Sequence, residues 1–189
     1  MGDEPLTLAS SDFALFAVPQ RFAQDLADLD ARWKRLQREA HPDRFAARDA
    51  QAQRQALQWS VRINEAYQRL KHPLKRAAYL CELAGVPVHA DSNTAMPSAF
   101  LQQQIAWREA LDDATGGADL ERLLAQVDQD RARALQCCEQ LLDVQGDHAQ
   151  AAGQLRILMF IDRFRRDVQA RIDALQASTP GTSLLVTGR

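Results

Sequence analysis

The chain has 189 residues and a mass of 21.2 kDa, with 46% hydrophobic and 25% charged residues, enough apolar material for one domain or two small ones. Its formal net charge of −2 is unevenly spread: residues 1–80 carry 13 Lys/Arg against 10 Asp/Glu, and residues 81–189 carry 10 against 15. Neither half has the dense cationic face of a nucleic-acid binder, no apolar run reaches bilayer length, and helix formers dominate over β-branched runs.

Residues 12–17 form a short apolar segment that Pro19 stops. The next helix starts at Asp25, an N-cap with Asp28 three positions on, and places Leu26, Leu29, Trp33, Leu36 and Ala40 on one stripe. Pro42 ends it, because a residue before proline leaves the α region, so residues 41–48 are read as a loop. A third helix covers residues 49–71, with Ala56, Leu57, Ile63, Ala66, Tyr67 and Leu70 expected to face inward. Residues 74–84 form a shorter amphipathic helix closed by Gly85, and the proline-containing stretch 85–97 reads as a linker. Helices then follow over residues 98–114, 118–144 and 148–177, broken at Gly116-Gly117 and Gly146-Asp147. Such short breaks favour antiparallel neighbours, hence a three-helix bundle. Residues 178–189 lack periodicity and are expected to be a mobile tail.

The tripeptide His41-Pro42-Asp43 stands between two of these helices. Proline restricts the backbone there, His41 offers a ring donor or acceptor, and Asp43 offers an anion that an arginine can meet bidentately. On the preceding helix Arg32, Arg35 and Arg38 recur every third residue, with Lys34 among them and Arg44 just past the tripeptide. A basic ridge of this kind suits an acidic docking surface, where charge raises encounter rate and sets orientation. The plainer alternatives are a helix-terminating turn, with Asp43 helping to cap the next helix, and a solvated helix face.

A short apolar helix, a basic amphipathic helix, a His-Pro-Asp loop and a second long helix together resemble a J-domain. So does Ile63-Asn64-Glu65-Ala66-Tyr67-Gln68-Arg69-Leu70, followed by His72-Pro73 and Arg76. Leu74-Lys75-Arg76-Ala77-Ala78-Tyr79-Leu80, Ala99-Phe100-Leu101 and Arg108-Glu109-Ala110-Leu111-Asp112 are similar to the HscB family of iron–sulfur cluster co-chaperones, a similarity that runs from Phe13 to about Leu175. The resemblance implies an all-α fold: a J-domain over residues 1–84, a linker over 85–97, and a C-terminal three-helix bundle over 98–177. It also implies a DnaK/HscA-type ATPase chaperone engaged by His41, Pro42, Asp43 and the ridge Arg32, Lys34, Arg35, Arg38 and Arg44, with no catalysis and no cofactor of the chain's own. Other J-proteins carry a Gly/Phe-rich linker and Cys-x-x-Cys zinc repeats, and some relatives carry an N-terminal tetracysteine module; this sequence has none of these.

On the helix from Ser98, Phe100, Trp107 and Leu111 share one stripe, while Leu101 and Ile105 lie about 100–140° around from Phe100. A second apolar stripe bordered by Gln102, Glu109 and Asp113 has the character of a partner-binding patch. The resemblance assigns this face, with Ala106 and with Phe160 of the last helix, to an IscU-type scaffold. The family often has more carboxylates where this chain has Gln102 and Ala106. Alternatively, Leu101 and Ile105 widen the buried face. Phe160, at the edge of the stripe Ile157, Ile161, Phe164, Val168 and Ile172, fits core and contact equally.

Cys81, Cys137 and Cys138 form no zinc-like spacing, and adjacent helical cysteines diverge, so no metal site is expected. An odd count with two adjacent cysteines, no apolar leader and no spanning segment point to a reducing compartment, and a cytoplasmic protein without membrane or nucleic-acid partners is expected. Two other readings are a J-protein with a different client, or one whose bundle dimerises, and a structural helical-bundle protein whose tripeptide is only a turn.

Overall fold

Caps and prolines set where the helices start. In the computed structural model, which describes residues 6–45, 49–86, 88 and 96–178, Ser11 accepts the Ala14 amide at 3.1 Å and opens α1 (Asp12–Phe16). Asp25 accepts the Ala27 and Asp28 amides at 2.9 and 3.1 Å and opens α2 (Leu26–Glu39). Asp49 does the same for α3 (Ala50–Lys71) through Ala52 at 2.8 Å, and Pro73, whose missing N–H costs nothing in a first turn, opens α4 (Pro73–Leu83). Then come α5 (Ser98–Asp112), α6 (Gly117–Glu139) and α7 (His148–Ser178). Among the described residues every regular element is helical.

Several boundaries differ from those read in the sequence. Within the expected loop 41–48, Pro42–Phe45 form a 3₁₀ turn, while residues 46–48 lie outside the described residues. The expected helix 118–144 changes pitch: Gln140–Gln145 form a π-helical turn that ends on Gly146 in the left-handed region at φ 66°. Most of the expected linker and the expected tail from residue 179 also lie outside the described residues. Gly85 does close α4, with φ 74°. Its N–H donates to the Glu82 carbonyl and the Val86 N–H to the Cys81 carbonyl, the paired bonds of a Schellman ending.

The chain forms two compact units: Met1–His89 with Leu135–Leu155, and Ala90–Ala134 with Arg156–Arg189. In the first, α2 and α3 are antiparallel in a fixed register. Gln37 meets Ser60, Trp33 meets Asn64 and Asp30 meets Tyr67, each step back along α2 matched by an equal step forward along α3. The Trp33 and Tyr67 rings stack at 4.7 Å, and Lys71 lies over Tyr67 at 5.0 Å. Phe13, Phe16, Leu29, Ile63, Ala66 and Leu70 fill the core between α1, α2 and α3. Leu57, expected to face inward, is 57% exposed. Measured around α3 it lies about 120° from the stripe of Ala56, Ile63, Tyr67 and Leu70, so adjacency to Ala56 was misleading. Leu26 is 47% exposed because in the α2–α3 register it falls opposite Lys71, where α3 ends.

Asp12 is fully buried at the start of α1. Its carboxylate lies 2.6 Å from Arg62 and 3.4 Å from Arg69 without hydrogen-bond angles, so the attraction is ionic. The Tyr79 hydroxyl accepts the Asp12 amide at 3.1 Å and the Arg69 guanidinium lies over the Tyr79 ring at 4.6 Å, which ties α1 to α3 and α4.

In the second unit, Arg131 pairs with Asp162 and Asp128 with Arg165, so α6 and α7 run antiparallel. Phe100 packs against Phe160, and Trp107 against Phe164, so α5 and α7 run in the same direction, as in an up-down-up bundle. Phe100, Trp107, Leu120, Leu123, Val127, Leu158, Ile161, Phe164, Val168 and Ile172 are its core. Leu111 and Ile157, expected in the buried stripes, are only half-buried.

Candidate functional site

The α2–α3 register leaves the turn after Ala40 at the tip of a helical hairpin. His41 and Asp43 point out of it, their side chains 55% and 89% exposed. The Asp43 N–H donates to His41 Nδ1 at 3.3 Å, which leaves Nε2 as the ring position that carries the proton in the neutral form. The Asp43 carboxylate stays 3.6 Å from Nδ1. Arg44 donates its N–H to the His41 carbonyl at 3.1 Å and its guanidinium to the Arg38 carbonyl at 3.3 Å, fastening the turn to the end of α2. The backbone of Pro42 sits in the 3₁₀ turn. The alternative in which Asp43 caps the next helix is overturned, since Asp49 performs that capping.

The basic ridge divides in two. Lys34, Arg35, Arg38 and Arg44 are exposed, and Lys34 adds to the field that lowers the Asp30 carboxyl below its ordinary range, an effect led by the Tyr67 hydroxyl bond. Arg32 is spent inside the protein. It pairs with Asp28 at 2.7 Å and donates to the Phe16 and Ala17 carbonyls at 3.1 and 2.9 Å, capping the end of α1. Beside the hairpin tip lies an open groove of about 420 Å³, lined chiefly by Leu6, Leu15, Leu36, Ala40, Ala56, Trp59 and Ile63, which the sequence reading did not anticipate.

On α5, Leu101 and Ile105 are 44% and 58% exposed, which removes the alternative that they widen the buried face. Gln102, Ala106, Glu109 and Asp113 are exposed around them. Phe160 is half-buried: its ring meets Phe100 edge-on at 5.7 Å and runs parallel to Phe164 at 6.5 Å, so it is both core and surface. Met159, 43% exposed beside it, was missed because a lone Met at a helix position carries no pattern.

Among the described residues no group of three His, Cys, Asp or Glu side chains is placed to hold a metal ion. Burial pushes the Cys81 thiol up to about 11 and the Cys138 thiol up to about 12, leaving both protonated and unreactive near neutrality. No helix among the described residues is long and apolar enough to cross a membrane.

Residues 96–169 match the family model of the HscB C-terminal oligomerisation domain. The chain is 44% identical over 163 residues to the co-chaperone protein HscB homolog of Bordetella pertussis, covering 86% of this chain and 96% of that one. The homolog of Burkholderia pseudomallei strain K96243 is 45% identical over 174 residues, covering 90% and 99%. This chain belongs to the HscB family of co-chaperones. The HscB of Vibrio cholerae superposes with a TM-score of 0.77 at 32% identity over 88% of this chain and 99% of its own. Human HscB superposes at 0.81 with 24% identity, covering 86% and 82%, a likeness of fold. The HscB fold, all-α with a J-domain and a C-terminal helical bundle, therefore holds for this chain.

Proposed function

We propose that this HscB-family co-chaperone stimulates ATP hydrolysis by a DnaK/HscA-type chaperone through His41-Pro42-Asp43 and delivers an IscU-type scaffold for iron–sulfur cluster transfer. The outward presentation of His41 and Asp43 at the hairpin tip, beside four exposed cations, carries this reading. Docking through Lys34, Arg35, Arg38 and Arg44 orients an acidic chaperone surface, Asp43 takes a guanidinium, and the neighbouring groove receives apolar side chains of the same partner. Arg32 serves this site by holding α1 against α2.

In this reading residues 1–84 act as the J-domain and residues 98–177 as the client-binding bundle, joined by 85–97 and working in the cytoplasm without a cofactor. The client face is Leu101 and Ile105, rimmed by Gln102, Ala106, Glu109 and Asp113 and continued by Phe160. Its exposed aliphatic pair supports this role. One protein that holds client and chaperone together raises their effective concentration and needs no chemistry of its own. The test is chaperone ATPase stimulation by His41→Gln: loss of stimulation with scaffold binding retained supports the proposal, and retained stimulation contradicts it.

A second reading has one specific support, the oligomerisation named in the matching family model. There Leu101 and Ile105 join two copies of the chain. Sedimentation of the unmodified protein and of Leu101→Ala/Ile105→Ala distinguishes them, since only this second reading expects a dimer that the double variant dissociates.

A further inference from the structure

The first compact unit is not continuous in sequence, because residues 135–155 belong to it. Three contacts fasten that segment to the N-terminal residues. Within the π-helical turn Gln140–Gln145, where Leu141 and Leu142 are both buried, the Asp143 carboxylate accepts the Phe22 amide at 2.6 Å and the Ala23 amide at 2.8 Å. The buried Phe22 ring lies under the Arg76 guanidinium at 5.0 Å, and Arg76 donates to the Leu70 carbonyl at 2.5 Å. The Cys81 thiol lies 3.7 Å from the His148 carbonyl as a weak donor.

Phe22 and Ala23 stand just before Asp25, the cap of α2. Two amides received by one carboxylate, at these distances, form charge-assisted bonds that fix both position and direction of a backbone segment. Arg76 binds the same point to the end of α3. The end of the hairpin opposite His41 is thus pinned from residues some 120 positions away, while the α2–α3 register carries that constraint along both helices to the tip.

We infer that Asp143 is a positioning residue for the His-Pro-Asp turn, acting through Phe22, Ala23 and α2. This rests on the proposed function for its consequence, but not for its geometry. Burial lowers the Arg76 guanidinium below its ordinary value while Asp143 and Glu139 act in the opposite sense, in keeping with a carboxylate that also balances a buried cation.

The experiment uses the full chain with Asp143→Asn, which loses one acceptor oxygen, and Asp143→Glu, which keeps both. Amide exchange at Phe22 and Ala23 should accelerate about tenfold or more in Asp143→Asn. The His41, Asp43 and Arg44 amide resonances should shift, and the protein concentration for half-maximal chaperone stimulation should rise about threefold with the maximum unchanged, as a smaller competent fraction requires. Asp143→Glu should restore part of each effect, and it carries the comparison if Asp143→Asn does not fold. Unchanged exchange would remove the clamp. Faster exchange with unmoved turn resonances would reduce Asp143 to a merely structural residue and overturn the inference. No stimulation by the unmodified protein would defeat the proposed function, while the exchange and resonance readouts would still decide the positioning.

Discussion

Asp12 is a carboxylate without solvent access held against two guanidinium groups, so removing it leaves Arg62 and Arg69 facing a cavity. Asp12→Ala should lower stability by about 3–5 kcal/mol in denaturant unfolding, whereas breaking an exposed pair such as Arg122–Asp119 should change it little. Nothing in the sequence marked Asp12 as buried, because its partners lie 50 or more residues away. Ala17 holds a left-handed conformation at φ 51° where α1 ends, and Ala17→Gly should raise stability by about 0.5–1 kcal/mol in the same measurement. The buried thiols give a pH signature. Their folded values lie above the ordinary thiol value of 9.0, so the folded state keeps its protons when the unfolded chain loses them. Stability is therefore fully present below about pH 9 and falls above it, at up to about 1.4 kcal/mol per pH unit for each thiol. Unfolding midpoints followed from pH 8 to 10.5 should show this decline, and Cys81→Ala with Cys138→Ala should flatten it.

The elements were largely legible, since helix starts obey local chemistry: Asp25 caps α2 as its side chain and spacing foretold, and Gly85 closes α4. Illegible were the features that depend on distant packing. The π turn at Gln140–Gln145 arises where α6 joins the first unit's core, and Asp143 earns its place only through Phe22 and Ala23. Along α7 the stripe of Ile161, Phe164, Val168 and Ile172 is buried as its spacing predicts, but that Ala151, Ala152 and Leu155 of the same helix belong to the other unit's core was not legible. On α5 the helical wheel left Leu101 and Ile105 open between core and surface, and their exposure decides it. Leu101→Ala with Ile105→Ala should therefore change unfolding free energy by less than about 1 kcal/mol while calorimetry shows scaffold binding weakened at least about tenfold. A loss of several kcal/mol of stability would show that the pair is core after all.

At the scale of the whole molecule, the resemblance around His41-Pro42-Asp43 says more than composition does. One unit presents His41 and Asp43 beside exposed cations, and the other presents an exposed aliphatic pair on a three-helix bundle. Each half of that description is separable by mutation, and this makes the proposed joint binding of chaperone and client testable as a whole. The basic ridge adds an ionic-strength dependence: chaperone stimulation should weaken between low and high salt, more so than scaffold binding through the apolar pair. The most direct measurement is single-turnover ATP hydrolysis by the chaperone with scaffold present, comparing the unmodified protein with His41→Gln. The unmodified protein should accelerate hydrolysis well beyond scaffold alone, and His41→Gln should return the rate to that scaffold-only level. Equal acceleration by both would contradict the role assigned to the hairpin tip.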